Sequence, residues 1–70
     1  MMTPEETKVL SYLGKRLTAT PGELARSCIP GGSPEWANRI LWNLEWLGYV
    51  VCHGQDAVQI TERGLRTVQG

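Results

Sequence analysis

Three times in the first half of this 70-residue chain a hydroxyl residue is followed at once by proline: Thr3-Pro4, Thr20-Pro21 and Ser33-Pro34. Each pair is a helix start. The hydroxyl accepts a hydrogen bond from one of the unpaired N–H groups of the first turn, and proline suits the first helical position, where its missing N–H costs nothing. Thr3 and Thr20 are each followed three residues later by glutamate, Glu6 and Glu23, which completes the pattern of a capping box. Each cap contributes roughly 0.5–2 kcal/mol. Three helix starts are therefore set before any periodicity is counted.

The periodicity agrees with them. A first helix is predicted over residues 4–16, with Val9, Leu10, Leu13 and Leu17 as its apolar stripe. Residues 17–20 read as a brief strand or extended link. A second helix over residues 21–28 buries Leu24, Ala25 and Cys28, and Pro30-Gly31-Gly32 then forces a turn. In a third helix, residues 34–47, Trp36, Ala37, Ile40, Leu41, Leu44 and Leu47 share one face, and Gly48 stops it by taking positive φ. The period then changes. Residues 49–52 and 57–60 are β-branched strands around the turn His53-Gly54-Gln55-Asp56, which makes a hairpin. Thr61 caps a short last helix with Leu65 and Val68 packing inward.

Two stretches carry a family resemblance. Leu41-x-x-Leu44-Glu45-x-x-Gly48-Tyr49-Val50 is similar to the end of the recognition helix and first wing strand of winged helix-turn-helix proteins. Val58-Gln59-Ile60-Thr61-Glu62-Arg63-Gly64 resembles their second wing strand and the Thr-x-x-Gly entry to a final helix, a feature of bacterial and archaeal regulators. The resemblance covers nearly the whole chain. It implies an α+β fold, a single winged helix-turn-helix domain over residues 1–70, with a three-helix core, a β-hairpin wing and a short C-terminal helix.

That resemblance implies a DNA-binding transcriptional regulator that places its third helix in the major groove of double-stranded DNA. The residues then facing outward are Ser33, Glu35, Asn38, Arg39, Trp42 and Asn43. Arg39 has the geometry to fork onto guanine, and Asn38 or Asn43 to pair with adenine. Lys15, Arg16 and Arg26 are candidates for phosphate contact, with His53 and Gln55 at the wing tip. The same outward residues also read as a plain solvated helix face.

Charge pulls against the DNA reading. Seven Lys and Arg balance seven Asp and Glu, whereas nucleic-acid binders usually carry a basic patch, because phosphate contacts supply most of the affinity. The wing tip has no Lys or Arg, and the third helix sets Glu35 and Glu45 against Arg39 alone. Trp36 lies on the apolar edge and reads as core. Trp42 and Trp46, four apart on the polar face, either fold against the wing or N-terminal arm or form an exposed aromatic pair that anchors a homodimer or another protein partner. A protein-interaction or adaptor module is thus the alternative function.

Other classes find little support. Cys28 and Cys52 lack the paired spacing of a zinc site and read as buried, reduced thiols, with a disulfide open if the protein meets oxidising conditions. His53, the single histidine, stands on a turn tip, and Gly31-Gly32 lacks the Lys-Ser/Thr ending of a phosphate loop. No enzymatic role and no cofactor or metal is expected. Hydrophobic residues at 41% with 20% charged suit a globular domain. No apolar run reaches the roughly 18–20 residues of a membrane span, and acids stand where a signal peptide carries basic residues, so no membrane association and a cytoplasmic address are expected.

Overall fold

The computed structural model describes residues 2–54 and 56–69. They form α1 (Pro4–Arg16), β1 (Thr18–Ala19), α2 (Pro21–Cys28), a 3-10 turn (Pro30–Gly32), α3 (Pro34–Trp46), β2 (Val50–His53), β3 (Ala57–Ile60) and α4 (Glu62–Gln69). This is an α+β arrangement of four helices on a three-stranded antiparallel sheet in the order β1-β3-β2.

All three N-caps form, but not equally. Thr3 makes the full reciprocal box with Glu6. At Thr20 only half of it exists: Thr20 Oγ1 accepts from the Glu23 N–H at 3.1 Å, while the Glu23 carboxylate turns away to the Tyr12 hydroxyl and towards Arg16. Ser33 Oγ accepts from the Trp36 N–H at 3.3 Å. Downstream, α3 ends in a Schellman motif. With Gly48 at φ 82°, its N–H reaches the Glu45 carbonyl and that of Tyr49 reaches the Leu44 carbonyl, each at 3.0 Å. Without a Cβ, glycine takes this left-handed turn at no steric cost.

The end of α3 is then tied to the start of α4. The Thr61 hydroxyl donates to the Gly48 carbonyl at 2.7 Å and accepts from the Gly64 N–H at 3.1 Å. The Thr61 N–H in turn donates to the Tyr49 carbonyl at 2.9 Å. One threonine thus closes a helix stop and a helix start together.

The core lies between the helices and the inner face of the sheet. Leu10, Leu13, Leu24, Leu44, Val9, Val50 and Val58 are its fully buried side chains, each worth roughly 1.5–3 kcal/mol relative to exposure. The register Val50↔Ile60 and Cys52↔Val58 sets these four on the inner face, and Val51↔Gln59 faces out. Leu65 and Val68 of α4 pack against the core half-buried, as the sequence predicts.

The predicted apolar stripes overreach at their ends. Leu17 is the C-cap of α1 at φ 71° and is more than half exposed. Its turned backbone lets the Leu17 carbonyl accept from the Ile60 N–H at 3.1 Å, which brings the chain onto the sheet edge. Leu47 is the C-cap of α3 rather than its last helical residue, and it is exposed, not core. Trp36, expected in the core, is 42% exposed. Cys28 is buried and Cys52 half-buried, and both are free thiols. Among the described residues no helix is long and apolar enough to cross a membrane.

Candidate interaction surface on α3

The inward side of α3 is apolar, with Ala37, Ile40, Leu41 and Leu44 all buried. Opposite them stand Glu35, Asn38, Arg39, Trp42, Glu45 and Trp46, all exposed. At ~100° per residue, Trp42 sits at the centre of this outward arc. Asn38 and Glu45 flank it on one side, towards α2 and the hairpin, and Arg39 and Trp46 on the other. Trp42 is 74% and Trp46 83% exposed. Of the two arrangements the sequence leaves open, the exposed pair is the one found.

On the hairpin side the helix is braced. Glu45 Oε2 accepts from the Cys52 N–H at 3.1 Å. That bond occupies a backbone donor on the edge strand β2. A groove of about 460 Å³ runs beside it between α2, α3 and the hairpin, bordered by Pro21, Asn38, Trp42, Glu45 and Cys52.

On the other side α3 is pinned to α1. Glu6 is buried, with its carboxylate accepting from the Thr3 N–H at 2.8 Å and from the Asn43 side-chain amide. Burial alone would raise the Glu6 carboxyl, but the Thr3 backbone bond and the Asn43 amide outweigh it and hold the group below its ordinary value of 4.5. Asn43 is exposed, but its side-chain amide turns towards α1. Its amide is committed to an internal carboxylate.

The other expected contact residues are distributed over α1, α2, the start of α3 and the hairpin. Arg16 lies over the Tyr12 ring at 4.9 Å and 3.6 Å from the Glu23 carboxylate, so it is engaged within the fold. Lys15 stands beside it at the C-terminal end of α1. Arg26 is exposed on α2, with its guanidinium placed over Gly22 in the first turn of that helix. Arg63 lies over the Tyr49 ring at 5.6 Å, and Arg66 pairs with Glu62. That leaves Arg39 as the cation of α3. Ser33 is half-buried and its hydroxyl is used as the cap. His53 is exposed, with Nε2 3.1 Å from Gln59 Oε1; Gln55 falls outside the described residues.

Two contributors escape sequence reading. Glu6 is found as a cap by its spacing from Thr3, but nothing local couples it to Asn43, 37 positions away. Glu45 reads as solvated surface and instead holds the hairpin. Burial pushes the Cys28 thiol up against the opposing pull of Lys8, and burial together with Glu45 does the same at Cys52, which keeps both thiols in the poorly nucleophilic protonated form at neutral pH. Among the described residues no three His, Cys, Asp or Glu are placed to hold a metal ion. No protein-family model matches this chain, and no curated protein matches its sequence.

Proposed function

We propose that this chain is a winged-helix binding module whose working surface is the outward face of α3, and that this face is made to hold another protein. The element order, the β1-β3-β2 sheet and the Thr61–Gly64 link fit the winged-helix arrangement. The observation that carries the reading is the exposure of Trp42 and Trp46 on adjacent turns of one helix. Large aromatic side chains left in water on a braced helix are the anchors that dominate protein interfaces. Their surroundings agree: one cation, two acids and an amide leave the face near neutral.

A second reading, a DNA-binding transcriptional regulator, is favoured by Asn38 and Arg39, exposed in the first half of α3 with no hydrogen-bond or ion-pair partner among the described residues. It ranks lower because the phosphate term is missing. Non-specific DNA affinity scales with the number of phosphates neutralised, and the cations here are spread over four helices, with Arg16 and Arg66 already in ion pairs.

Titration of tryptophan emission with random-sequence duplex at about 50 mM salt separates the two, since phosphate contacts are strongest in that range. The protein-partner reading expects no saturable change. Saturable binding that weakens steeply with salt would overturn it in favour of the regulator. Acrylamide quenching checks the premise, because emission from Trp42 and Trp46 must be red-shifted and readily quenched in the dilute chain.

A further inference from the structure

Resting on the protein-partner reading, we infer that the partner is a second copy of this chain, docked through α3 against α3 in antiparallel fashion about a two-fold axis at Trp42. The argument is the self-complementarity of the outward face. A two-fold perpendicular to a helix pair sets a residue n positions before the centre at the height of the partner's residue n positions after it, on the same side of the seam.

Arg39 lies three residues before Trp42 and Trp46 four after it, and both fall on the same side, about 60° and 40° round the helix. The guanidinium of one copy thus meets the indole of Trp46 in the other, the favourable cation–π pairing. On the opposite side Asn38 lies four before and Glu45 three after. The Asn38 amide of one copy meets the exposed Glu45 carboxylate of the other, which is held in place by the Cys52 N–H. Trp42 meets its own symmetry mate at the centre. Asn38, Arg39, Trp42, Glu45 and Trp46 each find a chemically suitable mate, and no like charges are opposed.

Area and charge agree. At about 250 Å² per tryptophan, exposures of 74% and 83% leave about 400 Å² of indole in water per copy. The two copies bury about 800 Å² through these rings alone, and Asn38, Arg39 and Glu45 carry the interface past the ~1,000 Å² that marks a specific contact. A formal net charge of zero puts no long-range repulsion between copies.

The test is sedimentation velocity of the full chain from about 1 µM to about 1 mM, the range in which small interfaces associate. The expected result is a concentration-dependent species of twice 7.8 kDa. Trp46→Arg places Arg39 against a second arginine at both ends of the seam and must weaken the dimer at least about tenfold. Adding Arg39→Trp to that variant exchanges the two partners and must recover dimerisation. Both positions are exposed, so far-UV circular dichroism should be unchanged, and Trp42→Ala gives an independent break at the centre. A wild-type chain that stays monomeric overturns this inference, as does a dimer indifferent to Trp46→Arg. The wider protein-partner reading is overturned instead by the duplex titration or the quenching above, so the two failures are distinguishable.

Discussion

Gly64 is where α4 touches the turn that follows α3, and its replacement by alanine measures how tightly that junction is built. A Cβ at Gly64 would collide with the Tyr49 carbonyl oxygen and come within 2.7 Å of Ile60 Cγ1. The carbonyl has nowhere to retreat, since it accepts from the Thr61 N–H at 2.9 Å. Overpacking of a tight site costs about 1–3 kcal/mol, and a clash with fixed backbone sits at the upper end or above. Alanine returns about 1 kcal/mol of helix propensity. The net expectation is a loss of about 2–3 kcal/mol, against a total stability of about 3.5–10 kcal/mol for a chain of this length. That corresponds to a fall in Tm of about 10–20 °C, read by thermal and urea unfolding followed by circular dichroism. Gly14→Ala is the control: its Cβ would lie 3.0 Å from Val68 Cγ2, the tip of a half-buried side chain that can rotate, and it should stay within about 1 kcal/mol of the parent. If Gly64→Ala unfolds within about 0.5 kcal/mol of the parent, the range typical of surface substitutions, α4 does not pack against the Tyr49 carbonyl and the reasoning is refuted.

Two further outcomes follow from single residues. Glu6 has its carboxyl held below 4.5 in the folded chain, so its contribution is present above that value and is lost as pH falls through the lower folded one. Glu6→Gln should cost about 1–2 kcal/mol near neutrality through the weakened charged hydrogen bonds and should flatten the loss of stability below pH 4.5; an unchanged acid limb in pH-dependent urea melts would refute it. Leu17 sits at φ 71°, where a Cβ costs about 1–2 kcal/mol. Leu17→Gly should therefore be more stable than Leu17→Ala by about that amount, and equal unfolding midpoints would show that the turn carries no strain.

Most of the architecture is legible in the sequence because its signals are local. A cap is read from two residues and its box from a third, three positions away, and Gly48 is read from the period that stops before it. The one box that forms only in part shows the limit. Glu23 has the right spacing from Thr20, yet its carboxylate goes to Tyr12 and Arg16 on α1. A charged phenol–carboxylate–guanidinium cluster between two packed helices outcompetes a single bond to a backbone N–H, and local spacing carries no information about that competitor. The bond between Asn43 and Glu6 is hidden for the same reason. The helical period places Asn43 beside the outward arc, and only the packing of α1 on α3 brings the Glu6 carboxylate within reach of its amide.

The misplaced aromatic and leucine positions share a different cause. Periodicity fixes the angle of a side chain around its helix and says nothing of how far along the helix the core extends. A 13-residue helix such as α1 or α3 is about 20 Å long, nearly the shortest dimension of the molecule, 21 Å. Its end turns therefore lie near the surface, where inward-facing positions such as Leu13 and Leu44 stay covered and positions at the edge of the apolar face do not. Trp36 lies in the first turn of α3, Leu47 just past its last and Leu17 just past the last of α1. All three are apolar and exposed: Leu17 and Leu47 because the helix has ended before them, and Trp36 because it lies at the edge of the inward face, beside buried Ala37. Trp42 is exposed for the opposite reason. It lies at the middle of α3, one residue from buried Leu41 and two from buried Leu44, where the core is fully developed and a tryptophan has cover available on the inner side. Its angle alone turns it outward.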